Sequence, residues 1–153
     1  MPTLIDTGIL LRGFARTDSQ YRDIRRALLK LRRQGEEFLT SFQNIAEFTN
    51  VSTRPTSSRG GYGLSVEMTD KRVQFIETAC RVVTETPSSY ARWRDLVIRH
   101  RVSGVAVHDA RLIAVMLVHG AQKLFTLNEG DFRRYEPEGI VVVTPQSLVA
   151  DAG

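Results

Sequence analysis

The sequence is poor in residues that bind soft metals, cross-link a fold or cross a membrane. Cys80 is the single cysteine and there are three histidines. One cysteine excludes an internal disulfide and a cysteine-based zinc site, and is typical of a protein kept in the reducing cytoplasm. The longest apolar run, Leu112–Val118, is far shorter than the roughly 20 residues of a membrane span. Asp6 interrupts the N-terminal apolar stretch, so the sequence predicts neither a signal peptide nor membrane association.

Lysine is also scarce, because 18 of the 21 basic residues are arginine and the net charge is +4. Arginine forks match phosphate oxygens, which makes nucleic acid a candidate partner. A GC-rich genome, whose codons favour arginine, explains the same bias. The charge alone therefore does not decide between the two explanations.

Length and composition predict one folded domain over residues 1–153. Apolar residues make up 42% of the chain and charged residues 25%, which argues against disorder. A chain of 153 residues has the length of an ordinary single domain and can bury a substantial core.

Short apolar segments alternate with helical patterns along the chain. The predicted strands are residues 2–5, 37–39, 81–84, 123–125 and 139–143, and the predicted helices are 9–14, 17–34, 41–52, 66–80, 86–101 and 105–119. Several strands are wholly apolar, as in a sheet covered on both faces, and this alternation predicts an α/β fold with a mainly parallel sheet. The site is then expected beyond the C-terminal ends of the strands.

Local signals add detail to these elements. A capping box of Thr17 and Gln20 is predicted to begin the second helix. Thr86, followed by Pro87, is predicted to begin the fifth helix, whose expected buried residues are Tyr90, Trp93, Leu96 and Val97. The strand at 139–143, GIVVV, is expected to be buried. Residues 54–65, rich in Gly, Ser and Pro, are predicted to form a loop that is mobile or shapes a substrate groove.

Asp109 is the most unusual acidic residue. It lies in GVAVHDARLIAVMLVHG, and the residues three, four and seven positions later are Leu112, Ile113 and Met116. A helix that is apolar all round is buried on most sides, so Asp109 should face little open water. Because an unpaired buried carboxylate is costly, Asp109 requires a cationic partner, a capping role or a metal.

Three other acidic residues stand out, of which Asp6 and Asp131 follow strands and fall at the same sheet edge, and each has a simpler explanation. Asp6 follows the first strand and could cap the helix after Thr7. Glu47 lies away from the centre of its helix's apolar stripe, as a solvated side chain would. Asp131 stands beside Gly130 in a turn, where aspartate is common.

Asp6, Glu47, Asp109 and Asp131 together form an oxygen-rich set suited to a hard divalent cation. Mg²⁺ and Mn²⁺ prefer carboxylate and water ligands. Such a site suits metal-assisted hydrolysis of a phosphodiester. Spacing alone does not show that the four converge.

Four segments in this order resemble the PIN domain, and within it the VapC-type toxin ribonucleases of bacterial toxin–antitoxin pairs. They are TLIDTGILL, QNIAEFTNV, HDARLIAVMLVHG and TLNEGDFRRY, and the resemblance spans about residues 2–145. It implies an α/β/α sandwich around a parallel sheet and Mg²⁺- or Mn²⁺-dependent endonuclease cleavage of RNA by the toxin of a type II pair.

The resemblance also assigns the site. The family's first three acids fall on Asp6, Glu47 and Asp109. Its fourth often stands two residues after the threonine, where this chain has Asn128. The fourth carboxylate is therefore expected from Asp131, and the neutral auxiliary groups are expected to be Thr7, Thr126 and Asn128. A neutral Asn128 weakens the case for a second metal ion.

The implied partners are an RNA substrate, a small antitoxin whose C-terminal segment covers the active site, and a second copy in a homodimer. The basic helix face, formed by Arg22, Arg25, Arg26 and Arg33, is either an RNA-phosphate contact or solvated surface. His108 has no assigned role, and a structural or surface position is favoured for it.

Two alternative functions belong to classes other than the ribonuclease. A non-catalytic RNA- or protein-binding module on the same fold would need degraded acids, whereas at least three are present. A flavodoxin-like phosphoacceptor would need a lysine after a late strand, whereas Lys123 precedes its strand. The sequence therefore favours the metal-dependent ribonuclease.

Overall fold

Five short strands form a wholly parallel sheet at the centre of the molecule, in a computed structural model that describes residues 1–150. The strands are β1 (Thr3–Ile5), β2 (Phe38–Ser41), β3 (Arg81–Val83), β4 (Lys123–Phe125) and β5 (Val141–Val143). Their order is β3-β2-β1-β4-β5, and every neighbouring pair is parallel. The predicted parallel sheet is confirmed, with β2 running two residues further than expected.

Helices cover both faces of this sheet. They are α1 (Thr7–Arg12), α2 (Tyr21–Arg33), α3 (Phe42–Thr53), α4 (Val66–Ala79), α5 (Pro87–Arg99), α6 (Ala106–Val118), α7 (Glu129–Phe132) and α8 (Pro145–Ala150), with a 3-10 helix at Arg133–Glu138. The predicted α/β/α sandwich is confirmed. Within residues 1–150, no helix has the length and apolar character needed to cross a membrane.

Alternate residues of the central strands pack into two separate hydrophobic cores. Leu4 and Leu124 join the core formed with α5 and α6. Ile5 and Phe125, their neighbours in sequence, join the core formed with α1, α2 and α4. Because successive strand residues point to opposite faces, an apolar strand serves both layers at once.

Helix starts follow local capping chemistry at most positions. Thr86 Oγ1 accepts a hydrogen bond from Ser89 N–H at 3.1 Å, and Pro87 opens α5 as predicted. The capping box predicted from Thr17 is wrong, because α2 begins after Gln20 without a side-chain cap. Asp18 Oδ1 instead accepts from Gln20 N–H at 2.8 Å, which forms a turn before the helix.

Two burial predictions are also wrong. Tyr90 is 61% exposed. It lies near the start of α5, away from the connection to α6, whereas Leu96, further along the helix, is buried in the core. The strand at 139–143 is half-exposed, with Val141 at 51%. β5 is one of the two edge strands of the sheet, and a wholly apolar sequence does not distinguish an edge strand from a central one.

Residues 54–65 form the predicted loop, which returns along the C-terminal end of α3. Tyr62 N–H donates to Val51 O at 3.1 Å and Leu64 N–H to Ser52 O at 2.8 Å. The backbone passes so close to itself that a Cβ on Gly61 would lie 2.4 Å from the carbonyl oxygens of Arg54 and Pro55. Glycine is therefore required at this crossing.

Candidate active site

The acidic residues gather at one edge of the sheet, where the parallel strands end. Asp6 follows β1 directly, Thr126 follows β4, and Glu47 lies one turn into the helix after β2. Asp109 lies in the first turn of α6. In an open parallel sheet this edge is where ligands bind, so the topology places these groups where the sequence predicts them.

Asp6 is the most firmly held of the four carboxylates. Its Oδ1 accepts hydrogen bonds from Thr7 N–H at 2.8 Å and from the Asn44 amide at 3.2 Å, and its Oδ2 accepts from the Thr126 hydroxyl at 2.7 Å. Burial raises the pKa of Asp6, the charge of Glu47 adds to the rise, and the three hydrogen bonds oppose it. Asp6 is also the N-cap of α1, so the capping role that the sequence allows for it is present in the structure.

Glu47 is exposed, as its helical position predicts, yet it is tied to the same cluster. Its Oε2 accepts from the Thr7 hydroxyl at 2.9 Å and its Oε1 from the Gln43 amide at 3.4 Å. Thr7 thus bonds to Asp6 through its backbone and to Glu47 through its side chain. Asn44 completes the ring by donating to the Thr7 hydroxyl at 3.0 Å.

Asp109 is half-buried, and both its burial and the charges of the other acids oppose its ionisation. Burial raises the pKa of Asp109 to about 6, and repulsion from Asp131, Asp6 and Glu47 contributes to this rise, while His108 opposes it. No side chain caps α6, so capping does not explain Asp109.

Asp131 and Asn128 occupy the short segment after β4. Asp131 is exposed in α7, and among the charges acting on Asp109 its repulsion ranks first. Asn128 is exposed, and its backbone N–H donates to the Thr126 hydroxyl at 3.0 Å. Of these two residues, Asp131 therefore has the electrostatic contact with the acidic cluster.

Sequence reasoning missed two amides that organise the cluster. Asn44, 1% exposed, bonds to both Asp6 and Thr7, and it also forms a capping box with Ser41. Gln43 donates to Glu47 and to the carbonyl oxygen of His108, at 3.2 Å. The available signal was the cap position of Ser41, which places Asn44 three residues later, at the same sheet edge.

The donor set fits a hard divalent ion held partly by water. Among residues 1–150, no three His, Cys, Asp or Glu side chains lie close enough to bind one ion directly. Mg²⁺ is usually bound by one or two carboxylates and keeps several waters. None of the four carboxylates forms an ion pair with a Lys or Arg side chain in this described part of the chain.

Comparison with known proteins gives one family and a consistent set of structures. The PIN domain matches residues 3–137, and no curated protein sequence matches the chain. VapBC2 from Rickettsia felis, bound to a promoter DNA fragment, aligns with a TM-score of 0.67 and 14% identity over 94% of this chain and 98% of that one.

Two further structures have similar scores. VapBC-1 from nontypeable Haemophilus influenzae aligns with a TM-score of 0.66 and 16% identity, over 95% of this chain and 99% of that one. VapC20 from Mycobacterium tuberculosis, a toxin that cleaves the sarcin–ricin loop, aligns with a TM-score of 0.62 and 16% identity, over 91% and 96%. At 14–16% sequence identity, the similarity to these structures shows a shared fold alone. Because the PIN domain match covers most of its length, the chain belongs to the PIN-domain family.

Proposed function

We propose that the chain is a metal-dependent endoribonuclease and the toxin of a type II toxin–antitoxin pair. The observation that carries this proposal is the cluster of Asp6, Glu47, Asp109 and Asp131, in which burial, followed by the charges of the other three acids, raises the pKa of Asp109 to about 6. A PIN fold and structural similarity to VapC-type toxins, one of which cleaves RNA, support it. Like charges gathered at a strand edge without an arginine or lysine partner require a cation.

Asp6 and Asp109 are the proposed principal ligands of Mg²⁺ or Mn²⁺. Glu47 and Asp131 complete the site directly or through water. When bound, such an ion lowers the pKa of water and offsets charge on the phosphoryl oxygens. Asp6 accepts three hydrogen bonds, fewer than the roughly four that a carboxylate can accept, so the protein holds its orientation without exhausting its oxygens.

The neutral residues fix the geometry of the acids. Thr7, Asn44 and Thr126 hold Asp6 in one orientation. Glu47 is exposed, and the Thr7 hydroxyl holds it in place. We assign Glu47 the role of accepting a proton from the attacking water, because it is more accessible than Asp6 and its position is fixed.

The experiment is cleavage of an RNA mixture with and without Mn²⁺ or Mg²⁺. We expect Asp6→Asn and Asp109→Asn to fold and to lose at least about 100-fold of the metal-dependent rate. Asp70→Asn, an exposed acid on α4, is the matched control. Full activity in either site variant contradicts the assignment. Titration calorimetry with Mn²⁺ tests the non-catalytic alternative, which predicts no carboxylate-dependent metal uptake.

The proposed partners are an antitoxin that covers the acidic site and a second copy of the chain. A small protein encoded beside this one should co-purify with it and suppress cleavage. Light scattering after gel filtration should give twice the 17.2 kDa mass of the chain. A monomer at micromolar concentration contradicts the homodimer. The reducing cytoplasm, where RNA is available, is the proposed location, and a reporter fusion found outside the cytoplasm would contradict it.

A further inference from the structure

A cavity of about 410 Å³ opens beside the acidic cluster and shares Glu47 with it. Its size lies within the range of about 300–1,000 Å³ that is usual for small-molecule sites. The start of α3, the residues after β3 and one face of α6 form its walls. The lining residues on which the proposal rests are Phe42, Gln43, Glu85 and Arg111.

Phe42 supplies an aromatic surface at this cavity. It is the first residue of α3 and is 65% exposed. A single exposed phenylalanine is ordinary on a protein surface, but this one is next in sequence to Gln43 and five residues before Glu47, and it lines the same cavity as both. Unstacked RNA bases bind on such rings, and every base has a face that can stack.

Glu85 and Arg111 supply a hydrogen-bonding edge in the same cavity. They form an ion pair between the residue two positions after β3 and the middle of α6, and the side chains are each 46% exposed. Exposure leaves both groups accessible to a ligand. The carboxylate only accepts hydrogen bonds and the guanidinium only donates them, so the pair presents the two functions side by side.

Guanine satisfies this pair better than the other three bases. On its Watson–Crick edge two neighbouring N–H groups can each donate to one oxygen of a carboxylate, and the adjacent O6 accepts from a guanidinium. On their Watson–Crick edges, adenine, cytosine and uracil each have a single amino or ring N–H group that can donate to the carboxylate. The Glu85–Arg111 pair therefore predicts that the cavity binds guanine in preference to the other three bases.

Gln43 connects this cavity to the acidic cluster. Its amide donates to Glu47 at 3.4 Å and to the carbonyl oxygen of His108, the residue before Asp109, at 3.2 Å. The wall of the cavity is thus bonded to two elements that carry the acids. Because Glu47 also lines the cavity, a base held there would lie next to the acidic cluster.

We propose that this cavity, the base pocket, receives an unstacked guanine next to the scissile phosphate, with Phe42 stacking on its face and the Glu85–Arg111 pair bonding to its edge. The inference rests on the proposed ribonuclease function, since it names the RNA feature that the same site selects.

The test is binding of fluorescein-labelled hexanucleotides, UUGUUU against the same sequence with A, C or U at the third position, measured by anisotropy in EDTA. We expect UUGUUU to bind about tenfold more tightly, in the range of one bidentate contact. Glu85→Gln replaces one oxygen with an amide donor and should reduce that ratio to about threefold or less. Phe42→Ala should weaken all four hexanucleotides, by about fivefold or more.

Glu77→Gln, at an exposed position on α4, is the matched control and should retain the full ratio. Equal binding of the four hexanucleotides overturns the inference, and so does a guanine preference that Glu85→Gln leaves intact. A dimer that buries Phe42 and binds no hexanucleotide also overturns it. A guanine preference in a protein that cleaves no RNA with Mn²⁺ supports the base pocket and contradicts the proposed nuclease, so the two failures are distinguishable.

Discussion

The Thr126 hydroxyl joins two parts of the site that are distant in sequence. It donates to Asp6 Oδ2 at 2.7 Å and accepts from Asn128 N–H at 3.0 Å, so it ties the end of β1 to the segment that carries Asp131. A hydroxyl does not titrate in the physiological range. The Asp6 carboxylate that accepts this hydrogen bond does titrate, and because the bond lowers the pKa of Asp6, it is stronger when Asp6 is ionised.

Asp109→Asn should stabilise the metal-free protein while abolishing cleavage. The folded-state pKa of Asp109 is raised to about 6 from its ordinary value of 3.8, so folding opposes its ionisation, and stability falls as pH rises between these values. Allowing for partial exposure, removing the charge should contribute about 1 kcal/mol at pH 7, or about 2–4 °C in Tm for a domain of this size.

The measurement is thermal unfolding in EDTA at pH 3.5 and pH 7. The variant's advantage should be small at the lower pH, where nearly all of the folded state and most of the unfolded state hold the proton, and full at the higher one. Asp70→Asn should show no such pH-dependent difference. An Asp109→Asn protein that melts below the wild type at pH 7 would contradict the repulsion described here.

At the scale of elements, Glu138 joins the 3-10 helix to α5. Its side chain is 5% exposed and accepts hydrogen bonds from Arg92 at 3.3 Å, Arg99 at 2.5 Å and His100 at 2.9 Å. The His100 ring packs edge-on against Tyr135, with centroids 5.1 Å apart. The same contacts thus fix the segment between Asp131 and β5 against the hairpin that carries Asp109.

Glu138→Gln should destabilise the protein in a pH-dependent way. Burial alone would raise the pKa of Glu138, but the hydrogen bond from His100 and the charges of Arg99 and Arg92 outweigh it and lower the pKa below 4.5. The ionised side chain therefore stabilises the fold above the unfolded-state pKa, and this contribution is lost as pH falls through the lower folded-state value. We expect a loss of about 1–3 kcal/mol at pH 7.

Urea unfolding at pH 7 and pH 3 measures this effect. The difference between wild type and Glu138→Gln should shrink at pH 3. Glu136→Gln, an exposed acid in the same 3-10 helix, should be neutral at both values. An equal loss at both pH values would mean that the side chain acts through packing rather than through its charge.

Hydrophobic periodicity and capping residues predicted the positions of most helices and strands, because both signals depend only on residues close together in the sequence. The α6 prediction differs from the structure by one residue at each end, and the Thr86–Pro87 start is confirmed. Tyr90 and β5 were predicted wrongly because burial depends on neighbours in space, which the pattern of one segment does not specify. Asn44 escaped notice for the same reason, since its capping position is local but its bond to Asp6 spans 38 residues.

At the scale of the whole molecule, the net charge is positive although the candidate site is acidic. The chain carries a net charge of +4, and four arginines on α2 are exposed: Arg22, Arg25, Arg26 and Arg33. None of these four pairs with a carboxylate within residues 1–150. A long anion could thus be held by the basic face while one phosphate meets the acids.

Replacing Arg22, Arg26 and Arg33 together by glutamine should weaken RNA binding and flatten its salt dependence. Each phosphate contact on a single strand contributes about −0.7 to the slope of log K against log salt, so the triple variant should lose about 2. Filter binding of single-stranded RNA between 50 and 300 mM salt, on the order of the physiological range, measures the slope. Arg94→Gln, exposed on α5, is the single-site control. An unchanged slope would show that the arginines on α2 are solvated surface.

The acidic cluster is assembled from residues 6, 47, 109 and 131, and β1 lies between β2 and β4 in the sheet. β1 pairs with β4, and the Thr126–Asp6 hydrogen bond at that pairing joins residues 120 positions apart. Long-range pairing of this kind forms slowly. The four acids can therefore meet only once both neighbours of β1 are in place, so the candidate site is assembled late in folding.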